Sequence, residues 1–176
     1  MRILGVDPGL ATVGFGVIES DKGRLTHIRH GAITTPPDWP LPRRLLGIAD
    51  DLLAIIEVFK PQSAAVEELF FCKNVTTGLA VAHGRGVILM TLARREVPVF
   101  SYKPAQIKQA VAGYGGADKR QVMEMTRYLL RLGAPPHPDD AADALAAAIC
   151  HAHAAGSMLG DSTLGGAGSQ SQSRRS

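Results

Sequence analysis

Within the first 33 residues the chain sets three apolar runs behind connections too short for anything but antiparallel pairing. RILGV (2–6) reads as a buried strand and VGFGVI (13–18) as a second, after a Pro8-Gly9 turn. HIRHGAI (27–33) reads as a third, and together they predict an antiparallel meander. The first run ends abruptly in a charge, Asp7, where a buried strand should be finishing. A turn aspartate is ordinary by itself, because its side chain bonds readily to its own backbone. Asp7 acquires chemical meaning only if the rest of the chain supplies partners for it.

The remaining elements alternate. Leu45, Ile48, Leu52, Ile55 and Phe59 repeat at spacings of three and four, which predicts an amphipathic helix over 41–59, ended by Lys60-Pro61. A short apolar strand over 63–67 runs straight into Glu67 and Glu68. A small-residue helix is expected over 75–95 and a strand over 97–101. Helices near 104–111 and 118–132 follow, the second with Asp118 as N-cap, and an Ala-rich helix runs from 139 to 155. The order β-β-β-α-β-α-β-α-α-α describes an α/β domain, a mixed sheet with helices packed on it, over residues 1–155. Residues 156–176 hold 5 Gly and 6 Ser without apolar periodicity and are expected to be a disordered tail.

Three strand and helix ends now carry acids: Asp7, the Glu67-Glu68 pair, and Asp140 with Asp143, which share a helical face at a spacing of three. Each alone is unremarkable turn, strand-end or N-cap chemistry. If the first and fourth strands are neighbours, their acids converge, and the last helix can bring its pair to the same place. Carboxylates gathered so closely repel one another and take up protons unless a cation joins them. Oxygen donors without His or Cys suit Mg²⁺ or Mn²⁺. Two such ions about 4 Å apart are the usual device for hydrolysing a phosphodiester.

Charge is distributed to match. Residues 1–70 carry 7 basic and 9 acidic groups, residues 71–134 carry 10 and 3, and residues 135–176 carry 2 and 4. A basic middle of net +7 between ends of −2 each is the pattern of a polyanion-binding face with carboxylates in reach, although solvated helix faces produce it too. Cys72 and Cys150 lie far apart and outside any CxxC spacing, which favours a reduced, cytoplasmic setting. No run approaches the roughly 18 apolar residues of a membrane helix, and the run before Asp7 is too short to be expected to act as a leader.

The ordered motifs Gly5-Val6-Asp7-Pro8-Gly9, Ala65-Val66-Glu67-Glu68-Leu69-Phe70, Lys73-Asn74 and Ala82-His83-Gly84-Arg85-Gly86 closely resemble the RuvC family of Holliday-junction resolvases. Gln106-Ile107-Lys108-Gln109, Lys119-Arg120-Gln121-Val122 and Asp140 to Ala146 extend the resemblance over about residues 2–152. It implies a ribonuclease H-like fold, with three antiparallel and two parallel strands in one five-stranded sheet. It also implies a structure-selective endonuclease of DNA recombination and repair that nicks opposed strands of a four-way junction. Carried over by position, the catalytic and metal-binding acids are Asp7, Glu67, Asp140 and Asp143, with Glu68 at a variable position and His137 a loop residue. Lys108 and Lys119 are implied to approach the DNA backbone, and Phe70 to stack on an unpaired base, a contact worth roughly 1–3 kcal/mol. Lys73, Arg85 and Tyr114 are further candidate DNA contacts, as are Lys103 and Arg120. Gly78, Ala82 and Gly86, four residues apart, suit either close packing on the sheet or the close approach of a second copy, and the family is dimeric. It also implies cooperation with a junction-binding branch-migration motor.

Three other functions fit parts of this pattern. An actin-like or sugar-kinase ATPase shares the strand, Asp-x-Gly turn and second strand, but needs a second domain and further phosphate motifs. A related nuclease of structured RNA and a non-catalytic junction-binding module fit less of the acid set.

Overall fold

The computed structural model describes residues 1–69 and 75–164. Strands β1 (Arg2–Asp7), β2 (Thr12–Asp21), β3 (Arg24–Thr34), β4 (Ser63–Glu67) and β5 (Val99–Tyr102) form one sheet in the order β3-β2-β1-β4-β5. β1, β2 and β3 pair antiparallel, whereas β4 is parallel to β1 and β5 parallel to β4. This is the mixed five-stranded sheet of the expected fold class. The meander is longer than its apolar runs, because Lys22 (φ 47°) and Gly23 (φ 84°) make a tight left-handed turn that lets pairing continue to Asp21↔Arg24.

Side-chain alternation sorts the core into two layers. Leu4, Val6, Ala64 and Val66 face α1 (Leu41–Phe59) and α2 (Val75–Arg94), meeting Ile48, Leu52, Ile88 and Leu92. Ile3 and Ala65 face the other way, toward α3 (Pro104–Ala112), α4 (Lys119–Leu129) and α5 (Asp139–Leu164). With a period of two, Asp7 falls on the same face as Ile3, and Glu67 on the same face as Ala65. Both acids therefore emerge beneath α5.

α1 occupies its expected range. Pro40 precedes it, Lys60 closes it in the left-handed conformation by donating its N–H to the Ile56 carbonyl at 2.8 Å, and Ile56 joins Ile48 and Leu52 as buried. Two helical boundaries differ from expectation. α4 stops at Leu129, with Arg131 (φ 54°) turning the chain left-handed. α5 continues nine residues past Ala155, to Leu164, so the chain from 156 to 164 is helical and no tail begins at 156. Once a long helix is nucleated by packing, each further residue adds a hydrogen bond that offsets the cost of Gly156 and Gly160. Residues 165–176 lie outside the described residues.

α5 rests directly on backbone. A Cβ on Gly5 would stand 1.9 Å from the Ala144 carbonyl oxygen, and one on Gly14 would stand 1.9 Å from the Asp140 carbonyl oxygen. Gly16, paired with Gly5, would meet the Leu145 side chain at 2.7 Å. Three glycines thus form a bare patch on β1 and β2, and the fully buried Ala141, Ala144 and Ala148 match it from the helix side. His151, farther along α5, lies within hydrogen-bonding distance of the Tyr102 hydroxyl (Nδ1, 2.7 Å) and of Ser63 Oγ (Nε2, 3.0 Å), tying the helix to β5 and β4. Gly14→Ala must push the α5 backbone away, so a stability loss of about 2 kcal/mol or more is expected from denaturant unfolding.

Candidate active site

The parallel register of β1 and β4 pairs Gly5 with Ala65 and Val6 with Val66, which carries Asp7 and Glu67 off the sheet side by side. The Glu68 N–H donates to the Tyr102 carbonyl at 2.9 Å, so the end of β4 is also held from the β5 side. Across the face, α5 begins with Asp139 and Asp140, where two acids favour the positive end of the helix dipole. The Pro138 carbonyl accepts from the Ala141 and Ala142 N–H groups at 2.9 and 3.2 Å and starts the helix. The Gly14 contact fixes Asp140 over the end of β1, and Asp143 follows one turn later.

The acids act on one another. Burial, and then the charges of Glu67, Asp143 and Asp140, push Asp7 up to about 8. Burial and Asp143 push Glu67 up to about 7. Asp143 is raised chiefly by burial, with Lys119 pulling against the rise. All four predicted acids therefore share one electrostatic environment. Glu68 is not part of this set.

Lys119 supplies the main opposing charge. It occupies the first turn of α4, whose N-cap Asp118 accepts from the Gln121 N–H at 2.8 Å while Gln121 Oε1 accepts from the Asp118 N–H at 2.9 Å. From there Lys119 Nζ reaches Asp139 at 3.2 Å and Asp143 at 3.3 Å. Burial works against its charge, but Asp143 and Asp139 outweigh it and hold the ammonium above the usual lysine range. Lys108, on α3, lowers the Glu67 value through its charge. A cleft of about 240 Å³ joins these groups, lined by Glu67, Lys108, Lys119 and Asp143 together with Ile107, Val122 and Ala146.

The other predicted residues are placed differently. Tyr114 is half exposed in the loop after α3, and its hydroxyl bonds to Gln121 on α4. Lys103 and Arg120 are exposed, and His137 lies in the loop before α5. Arg85 bonds to the Glu67 carbonyl and to Ser101. Phe70 and Lys73, with Phe71 and Cys72, lie outside the described residues. On α2, a Cβ on Gly78 or Gly86 would meet nothing within 4 Å, and Ala82 is exposed, so this stripe does not pack on the sheet. Sequence reasoning missed Asp139 as a second anchor for Lys119; its position one residue before Asp140 and one turn before Asp143 was the available signal.

Carboxylates alone, without imidazole or thiolate, suit a hard divalent cation such as Mg²⁺ or Mn²⁺. Their mutual destabilisation is also the charge imbalance such an ion relieves. Among the described residues, no three His, Cys, Asp or Glu side chains are drawn together tightly enough to hold an ion unaided. The fit is one of donor type and charge, with Lys119 standing against Asp143.

The family model for "Crossover junction endodeoxyribonuclease RuvC" matches residues 3–151. This chain belongs to the RuvC family. The RuvC of Chloroflexus aggregans is 59% identical over 155 residues, 88% of this chain and 94% of that protein. Thermus thermophilus RuvC, solved in complex with a Holliday junction substrate, superposes with a TM-score of 0.85 at 34% identity, covering 90% of this chain and 96% of that one. The yeast mitochondrial Holliday junction resolvase shares the fold, with a TM-score of 0.60 at 14% identity, 90% of this chain and 83% of that one.

The raised carboxylates set a pH dependence. Protonated Asp7 stabilises the folded chain, and that contribution is lost as pH rises from about 4 toward 8. In metal-free buffer, Asp7→Asn is expected to match the parent's Tm near pH 4 and to exceed it by several degrees at pH 8, as read by thermal denaturation. Mn²⁺ at pH 8 should raise the parent's Tm more than that of Asp7→Asn.

Proposed function

We propose that this protein resolves four-way DNA junctions by paired, divalent-metal-dependent hydrolysis of phosphodiesters in opposed strands. The observation that carries this reading is the mutual charge influence of Asp7, Glu67, Asp140 and Asp143, with Glu67 and Asp143 sharing a cleft with Lys108 and Lys119, in a RuvC-family chain. The four acids would hold Mg²⁺ or Mn²⁺, two ions per site. When bound, such ions activate water and stabilise the departing oxygen.

The chain's own residues do the rest. Lys108 and Lys119 neutralise and orient the scissile phosphate, so binding should weaken as salt rises. Ile107, Val122 and Ala146 line the same cleft and give the bound phosphate an apolar flank. A water oxygen bonds to phosphorus as the bond to the 3′ oxygen breaks, leaving 5′-phosphate and 3′-hydroxyl ends. Phe70 stacks on an unpaired base beside the cut, and Lys73 and Tyr114 extend the DNA surface. A base so held favours distorted DNA over intact duplex.

Two cuts require two sites. The open stripe of Gly78, Ala82 and Gly86, with Leu79 and Met90 exposed on the same helix, suits close approach of α2 from a second copy. A two-fold dimer would present its sites to symmetry-related strands of the junction. A junction-binding branch-migration motor is the further partner, and the cytoplasm the place of action. Among the described residues no helix is long and apolar enough to cross a membrane.

The test compares a four-way junction with a linear duplex of the same sequence, with and without Mg²⁺ or Mn²⁺. Symmetric nicking of the junction alone, dependent on metal and lost in Asp7→Asn, is the expected result. Equal cutting of both substrates, or activity that survives Asp7→Asn, overturns the reading. Lys108→Ala and Lys119→Ala are each expected to reduce junction cutting at least about tenfold at physiological salt and less at low salt.

A further inference from the structure

Arg85 belongs to the family's Gly84-Arg85-Gly86 stretch, and its charge suggests a phosphate contact. Its surroundings assign it another task. Arg85 Nε donates to the main-chain carbonyl oxygen of Glu67 at 3.2 Å, and Nη2 donates to Ser101 Oγ at 3.0 Å. One guanidinium therefore joins the ends of β4 and β5. Its fixed fork of N–H donors can satisfy a carbonyl and a hydroxyl at once, which the single ammonium of lysine does less well.

The residue before it contributes as well. Gly84 is buried, and a Cβ there would stand 2.0 Å from the carbonyl oxygen of Gly9, in the turn that follows Asp7. Neighbouring residues of α2 thus bear on the turn after β1 and on the last residue of β4. They do so from the layer opposite α5, since Ile88 and Leu92 of α2 pack with Leu4, Val6 and Val66.

Glu67 needs such support. It has passed the last residue of β4 registered to β1, Val66, and only the β5 side still pairs with it. The N–H of the Glu67–Glu68 peptide already donates to the Tyr102 carbonyl at 2.9 Å, and Arg85 on the carbonyl side completes the hold that limits swinging of the carboxylate. We propose that Arg85 is a positioning residue for Glu67: by anchoring the Glu67 main chain to Ser101 it aims the carboxylate at Asp7 and Asp143. This rests on the metal-dependent nuclease reading above. Groups that orient ligands from behind typically change metal affinity 10–100-fold when removed.

The test separates positioning from DNA contact by measuring metal and DNA binding apart. Mn²⁺ is titrated calorimetrically into the full chain without DNA, for the parent and for Arg85→Ala, Arg85→Lys and Ser101→Ala. The same proteins are assayed for four-way junction binding in EDTA, and for kcat and KM with Mn²⁺. Arg85→Ala is expected to weaken Mn²⁺ binding about tenfold and lower kcat, with metal-free junction affinity within about twofold of the parent. Arg85→Lys and Ser101→Ala should fall between, and they carry the comparison if Arg85→Ala does not fold. Junction affinity that falls while Mn²⁺ affinity holds makes Arg85 a phosphate contact and overturns the proposal. Variants equal to the parent in both measurements overturn it too. A parent chain that takes up no Mn²⁺ overturns the metal reading itself, a result visible before any variant is compared.

Discussion

The site depends on how closely the α5 backbone approaches β1 and β2. Gly5 and Gly14 bring the strand backbone against the α5 main chain, Gly16 makes room for the Leu145 side chain, and the alanines of α5 accept the contact. Because the Asp140 carbonyl touches the Gly14 position, the first turn of the helix is set over the end of β1. Asp140 and Asp143 are then held by main-chain packing instead of by flexible side chains. A larger residue in the patch would move the acids as well as destabilise the core.

That placement buries the acids and concentrates their negative charge, and the raised Asp7 and Glu67 values register first the burial and then the repulsion. The fold sustains it through the two apolar layers on either side of the sheet. Lys119, shared between Asp139 and Asp143, offsets part of the repulsion. A cation brought to the cleft would relieve more of it. The strain and the proposed chemistry have one origin, carboxylates gathered before their counter-charge arrives.

Much of the architecture was legible locally. The range of α1 followed from its apolar spacing and the Lys60-Pro61 stop, and the Asp118 cap from residue type. Alternation along β1 and β4 was enough to place Asp7 and Glu67 on a common face once the strands were paired. Boundaries without a strong stop were less legible: α4 ends early at a left-handed arginine, and α5 runs on through Gly156, which composition alone marked as tail. The partners of Lys119 and Arg85 were not legible. A charged side chain reads the same whether it will meet phosphate, a carboxylate or a main-chain carbonyl.

By itself, the sequence determined the kinds of element, their order, and the acids that end them, because periodicity, turn chemistry and residue type are local properties of a chain. Its ordered motifs also carried the family. Tertiary structure alone decided that β1 and β4 lie side by side in parallel, that α5 descends onto bare glycine, and that Arg85 turns inward to the end of β4. Those outcomes depend on hydrogen-bond register and close packing between segments far apart in the chain, which no local pattern specifies. Asp7 is an ordinary turn residue in sequence and one of four interacting acids in space.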